Sequence, residues 1–395
     1  MLHLSVLALA ALVSLGPAQE KTSPPQEKKP TRSNTAVGDR RRPPLRDEVS
    51  SKVAVGLALG WLAKHQDEDG KWDTDGFMKH DKGRKPTDGK GGAAYDVGVT
   101  GLALLTFLGN GNTMRAGPYK DVVKKSVKWL RDQQGQNGLF GTKATHDFVY
   151  GHAIATIAMC EAYGLSKYKM LKKNAQKGID YLESHRNPFG LWRYMPRDND
   201  NDVSVSSWCL MAYKSAQDFG LDVNKTAFKN GAAMLDMWTD PKTGHCGYTK
   251  RGEPSARRVG NHRTAFPVNK GDALTGAALF SRFMLGQDPR QKKVMTLAAN
   301  TMLERPPKWA DDGSIDFYYW YYGSYAMYQM GGEHWKKWHK AITPPVLSHQ
   351  RRDGNFTGSW DPVSVWSVAG GRVYATAMCA LTLEAVFRYT RLVKR

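Results

Sequence analysis

Gln66-Asp67-Glu68-Asp69-Gly70-Lys71-Trp72 follows the pair Trp61-Leu62, and the pattern returns near the far end as Gln350-Arg351-Arg352-Asp353-Gly354-Asn355-Phe356, closing on Trp360. Weaker copies lie between: Trp129-Leu130 before Gln133 to Phe140, Tyr181-Leu182 before His185 to Trp192, Met237-Trp238 before Gly244 to Tyr248, and Trp309 before Asp312-Gly313. Each joins an amphipathic stretch to a blander apolar one. A recurrence at roughly 50–60 residues marks one reused supersecondary unit, and two helices cannot bury their apolar faces alone. The chain therefore reads as all-α, an array of six helical hairpins.

The two members of each hairpin differ in composition. Stretches opening near Ser51, Tyr119, Tyr168, Lys225, Pro289 and Glu333 carry charge on one side and Trp, Leu, Val or Ala on the other, as outer helices do. Those opening near Asp96, Asp147, Asp202, Gly271, Asp316 and Arg372, such as Val99 to Leu105, are small and apolar nearly all round. Helices packed on every side have that character. Two concentric rings follow, an α/α toroid with its inner ring around a hollow. In the turns, Gly is expected to supply the left-handed residue that ends the outer helix, with the aromatic packing back on a neighbour.

The first 19 residues hold an apolar run from Leu4 to Leu15 ahead of Gly16-Pro17-Ala18 and read as an export signal. Residues 20–49, rich in Pro, Lys, Arg, Ser and Gln, read as a disordered basic linker, leaving one domain over 50–395. The implied location is the periplasm or the extracellular space, with no membrane span once the signal is removed. Net charge is +20. Clusters such as Lys120, Lys124, Lys125 and Lys128 suit a solvated outer face, or an anionic envelope polymer or protein partner. Nucleic acid is not an expected partner. Cys160, Cys209 and Cys379 fall in apolar helices as core filling, and Cys246 lies in a turn, so no disulfide framework is expected. Neither a metal nor a cofactor is expected, since no Cys-x-x-Cys or close His pair occurs.

The Gln-to-Asp-Gly-x-Trp turns resemble the repeats of the terpenoid cyclase and protein prenyltransferase superfamily, whose members fold as α/α toroids. Asp316 to Gly323, Met330-Gly331-Gly332, Gly358 to Pro362, Gly370 to Tyr374 and Asp202 to Trp208 resemble a group of exported single-toroid proteins of planctomycete-type bacteria. The likeness spans roughly residues 50–392 and implies the fold more than a reaction. The superfamily's catalytic motifs are departed from. The cyclase Asp-x-Asp-Asp acid is replaced by the alternating Asp198-Asn199-Asp200-Asn201-Asp202, and Tyr318 stands where a zinc-binding Cys would follow Asp316. His245-Cys246-Gly247-Tyr248 lacks the glutamine that a thioester needs.

Candidate site residues follow from the hollow. Asp96, Asp147, Asp202 and Asp316 open inner helices, where the helix dipole favours acids; they are also expected to share a rim whose crowding raises a pKa. Asp200, Asp202 and Asp316 are the candidate acids. Tyr150, Trp208, Tyr319, Trp320 and Tyr374 are expected to line the hollow with rings, joined by the polar His152 and Arg372. Such a wall suits carbocations, isoprenoid tails or sugars. Three functions fit: a binding toroid for a hydrophobic or isoprenoid-like ligand, a terpene cyclase-like enzyme using an Asp acid, or a polysaccharide lyase or hydrolase on an α/α barrel. In the last, His152, Tyr319 and Arg372 would act on a uronate.

Overall fold

The computed structural model describes residues 46–83, 85–258, 260–388 and 392. The proposed export signal, and the linker up to residue 45, lie outside the described residues. Outer helices are α1 (Arg46–Lys64), α3 (Lys120–Asp132), α5 (Lys172–His185), α7 (Thr226–Trp238), α10 (Lys293–Leu303) and α12 (Gly332–Ser348). Inner helices are α2 (Asp96–Gly109), α4 (Phe148–Ser166), α6 (Val203–Asp218), α9 (Ala273–Met284), α11 (Phe317–Met330) and α13 (Ser367–Arg388), and the short α8 (Asn261–Ala265) sits in a long loop before α9. The inner helices pack in the order α2, α4, α6, α9, α11, α13 and back to α2, so the ring closes. The architecture is the expected α/α toroid of six hairpins.

Small residues set the inner ring's tightness. A Cβ on Gly98 would come within 2.9 Å of the Gly151 Cα, and one on Gly276 would lie 3.3 Å from the Gly323 nitrogen. These four glycines let α2 meet α4, and α9 meet α11, backbone to backbone. Van der Waals contact replaces side-chain interdigitation there.

The turns work differently from the expectation. Gly70 lies in the turn, beyond the end of α1 at Lys64, with φ of 107°. Its missing side chain lets the turn sit directly on the Lys125 carbonyl of α3. Gly138 abuts Lys177 of α5 and Gly358 abuts Leu57 of α1 in the same way. The preceding glutamine staples the contact: the Gln66 amide donates to the Gly70 carbonyl at 3.0 Å and to Val122 of α3 at 3.0 Å. Gln134 repeats this with Gly138 and Asn174, at 3.1 and 2.9 Å. Gln350 closes the circle, donating to Gly358 at 2.9 Å and to Ala54 of α1 at 2.8 Å. The glycine therefore joins neighbouring sectors and does not cap its own helix.

The aromatic folds the turn back onto its own outer helix. The Trp72, Trp192 and Trp360 indoles donate to the carbonyls of Leu62, Leu182 and Val346 at 2.8, 2.7 and 2.7 Å. All three are fully buried, so the indole N–H needs that acceptor. The four cysteines are buried free thiols.

Candidate functional site

Because hairpins alternate outer and inner helices, all six inner helices point the same way. Their first turns surround a chamber of about 750 Å³. Val97, Val99, Leu102, Ile154 and Leu274 give it apolar walls. Tyr95, Tyr150, Tyr194, Tyr248, Tyr318 and Tyr374 add rings, with Trp208 on α6 and Trp366 beside α13. Trp208 is held by Tyr321, stacked at 5.5 Å with 13° between planes.

Five of the chamber's hydroxyls bond to one another. Tyr150 donates to Ser204 at 2.8 Å, Ser204 and Tyr318 lie 2.9 Å apart, and the Tyr194 and Tyr248 hydroxyls lie 2.6 Å apart. The rings therefore show mostly carbon. The Tyr374 hydroxyl and Asp147 Oδ1 are buried and have no partner among the described residues. Over the mouth runs the loop between α7 and α9, which contributes Ser255 to Arg258. It is pinned by the buried Arg257, which donates to the Phe266 and Ala256 carbonyls at 3.1 and 3.0 Å and meets Asp316 at 3.5 Å. His262 reaches the Val365 carbonyl at 2.7 Å.

The expected ring of shared carboxylates does not form. Asp96 accepts from the Thr74 N–H at 2.9 Å and pairs with Lys71 at 2.9 Å. Asp202 caps α6 through the Val205 N–H at 2.7 Å and lies 3.3 Å from Arg193. Asp316 caps α11 through Tyr319 at 3.1 Å and pairs with Arg257. Asp272, which composition did not single out, holds the same place before α9, with His245 and Arg305 at 3.7 and 3.6 Å. Each of these four acids has a cationic side chain of its own neighbourhood beside it, and Asp147 is the inner-helix acid that lines the chamber. The pKa values rise for a different reason than crowding. Burial pushes Asp202 up to about 7 and also raises Asp272 and Asp316. Asp200 lies at the surface, ion-paired with Arg193.

Four further candidates turn away from ligand contact. Tyr319 points to the outer ring, donating to the Met302 and Arg305 carbonyls at 3.1 and 2.9 Å. Trp320 packs on Phe317 and Trp309 at 5.4 and 5.7 Å. Arg372 seals the seam between last and first sectors, meeting Asp361 at 2.7 Å and the Asp88 carbonyl at 2.9 Å. His152 borders the chamber but is fully buried, with both ring nitrogens engaged. Its Nδ1 accepts the Phe140 N–H at 3.0 Å, which puts the proton on Nε2, facing the Gly178 carbonyl at 3.1 Å.

The position of His152 has counterparts in other sectors. Thr100, Ser206, Thr275 and Thr376 accept the backbone N–H of Trp72, Trp192, Cys246 and Trp360. The histidine is a scaffold acceptor, and burial pushes its pKa down to about 3. His152→Ser, which restores the hydroxyl of the other sectors, should cost about 1 kcal/mol, against about 3 for His152→Leu, by denaturant melts.

Sequence reasoning missed Tyr194 and Tyr248. Both stand two residues after the turn residue whose N–H is bound, Trp192 and Cys246, and Thr142 follows Phe140 alike. All three line the chamber, so that offset was the available signal.

No protein-family profile and no curated protein matches this sequence. Solved structures do match in fold. Cellobiose 2-epimerase from Bacillus thermoamylovorans is similar with a TM-score of 0.58 at 10% identity, covering 85% of this chain and 98% of that one. An unsaturated glucuronyl hydrolase specific for heparin gives 0.57 at 13%, covering 87% and 97%. A type II terpene cyclase from Scytonema, in complex with merosterolic acid A, gives 0.52 at 14%, covering 87% and 97%. At these identities the likeness establishes the shared α/α-toroid fold.

Proposed function

We propose that this protein binds a predominantly apolar, isoprenoid-like ligand inside its toroid, acting outside the cytoplasm as the apolar run from Leu4 to Leu15 suggests. One observation carries the reading: a chamber of about 750 Å³ with aliphatic and aromatic walls, in which the Tyr150, Tyr194, Tyr248 and Tyr318 hydroxyls bond to other hydroxyls. That volume suits a drug-sized apolar molecule. Polar side chains in the wall, among them Thr142, Thr145, His146, Asp147, Ser255 and Arg258, come from loops, while the inner helices contribute mostly carbon.

The enzymatic reading has one observation in its favour. Asp202 keeps its proton near neutrality and lies against Tyr248, whose ring is part of the chamber wall. Asp202 could then act as the acid of a cyclase-like reaction, with Tyr248 between it and the ligand. The lyase reading takes its groups from His152, Tyr319 and Arg372, and their polar atoms are all engaged within the protein.

Native mass spectrometry after incubation with squalene and shorter polyprenols tests the binding reading. Wild type should retain a polyprenyl mass, and Leu274→Trp, which narrows the chamber, should weaken retention about tenfold. Equal retention by the two would refute the binding reading. Chromatography of the extracted lipid, which separates a cyclised isomer from squalene of the same mass, decides the second: a cyclic product absent in Asp202→Asn would establish the acid, and unreacted squalene from both would leave binding alone.

A further inference from the structure

The end of the toroid opposite the chamber carries a different surface. The loops that follow α2 and α4 meet there, since both inner helices end at that face. Lys167-Tyr168-Lys169-Met170-Leu171-Lys172-Lys173 leads into α5, and no acid occurs between Glu161 and Asp180. Arg115 and Lys120 come from the neighbouring loop, and the Arg115 guanidinium lies 5.9 Å from the Tyr168 ring centre, which ties the two loops into one patch. Arg115, Lys120, Lys167, Lys169, Lys172 and Lys173 are all exposed, and none enters an ion pair among the described residues.

Apolar side chains stand among these cations. Met170 is 71% exposed and Tyr168 38%. Leu171 is buried and anchors the segment, and Lys167 holds a left-handed conformation with φ of 53° that ends α4 and turns the chain outward. The Tyr168 N–H is fixed by the Ser166 hydroxyl at 3.2 Å. The loop is therefore rigidly presented. Solvent-exposed Met and Tyr flanked on both sides by lysines are poorly explained by solubility, which the lysines alone would supply.

We infer that this face docks onto an anionic phospholipid bilayer, with the cations meeting headgroup phosphates and Met170 and Tyr168 entering the interfacial region. Lysines near an anionic leaflet add attraction that salt screens, and an amphipathic Met or Tyr at headgroup depth adds attraction that salt does not screen. A soluble polyanion would use the first component only. No described helix is long and apolar enough to cross a membrane. Docked this way, the chamber mouth faces away from the lipid. The inference stands independently of what the chamber holds.

Co-sedimentation of the full chain with vesicles tests it. Binding should be strong to phosphatidylglycerol–phosphatidylcholine mixtures and weak to phosphatidylcholine alone. The triple variant Lys169→Glu, Lys172→Glu, Lys173→Glu should lose at least about tenfold in partitioning. Met170→Ser should bind at low salt but release at high salt, where wild type persists. All substituted side chains are exposed, so unchanged melting temperatures would show that folding is intact. Equal partitioning of the triple variant and wild type overturns the inference. So does tight binding to a soluble polyanion such as heparin with no vesicle binding, which would assign the face to a polymer instead.

Discussion

Replacing Arg388 with methionine should destabilise the protein by about 3–5 kcal/mol, because it removes the cation that two buried acids share. Arg388 lies at the end of α13, is 1% exposed, and donates to Glu161 of α4 at 2.5 Å, to Glu384 at 3.1 Å and to the Leu105 carbonyl of α2 at 2.5 Å. One guanidinium thus ties three neighbouring inner helices at the end away from the chamber. Glu161 and Glu384 are 1% and 0% exposed, so neither recruits water when the cation is lost. Chemical denaturation of Arg388→Met, with m-value checked against wild type, measures the loss.

The same cluster gives a pH dependence with a definite sign. Burial pushes Glu384 from 4.5 up to about 8. The folded protein then holds a proton that the unfolded chain releases above pH 4.5, so this contribution is complete below that pH and is lost as pH rises toward 8. Glu384→Gln keeps the neutral form permanently. Its stability relative to wild type should therefore rise between those limits, by on the order of 5 kcal/mol. A difference independent of pH would show that Glu384 is ionised throughout.

Gly70→Ala should be nearly as costly, about 3–5 kcal/mol, from two additive sources. The residue sits at φ of 107°, and a Cβ there would overlap the Lys125 carbonyl and the Ser126 nitrogen, backbone atoms that cannot step aside. Gly220 separates the two contributions: its φ is 74°, and no atom stands within 4 Å of the point a Cβ would occupy. Gly220→Ala should cost only the conformational part, about 1 kcal/mol. Melting temperatures of the pair decide the matter, and similar losses would mean that the turn does not press on α3.

How much of this was legible beforehand follows from the period of the pattern. The turn motif and the change from amphipathic to uniformly apolar stretches are local, so the six hairpins and their inner and outer members could be read directly. Helix starts at Asp96, Phe148, Val203 and Phe317 fall at or next to the expected positions. Placement of the site fared differently. In Phe317 to Tyr322 all six residues are aromatic, so nothing local says that Tyr318 faces the chamber while Tyr319 and Trp320 face the outer ring. A helix turns about 100° per residue, and its rotation is set by neighbours distant in the chain.

Charge partners were hidden for the same reason. Asp316 meets Arg257 and Arg388 meets Glu161 across separations of 59 and 227 residues. The sequence places Asp96, Asp147, Asp202 and Asp316 at inner-helix starts, where the dipole favours acids and a shared rim was expected, and gives no sign of their partners. Packing between sectors brings Asp316 and Glu161 to their cations, and burial in the assembled ring shifts Asp202, whose own cation Arg193 is local.

By itself the sequence determined the repeat, the two kinds of helix and their closure into a toroid, because these depend on short-range periodicity and on the need to cover apolar faces. Tertiary structure decided which side chains face the chamber, which acids are neutralised, and that a basic, Met-bearing surface gathers at the far end. Those outcomes are set by helix rotation and by contacts between sectors, which burial and electrostatics fix only once all six hairpins are in place.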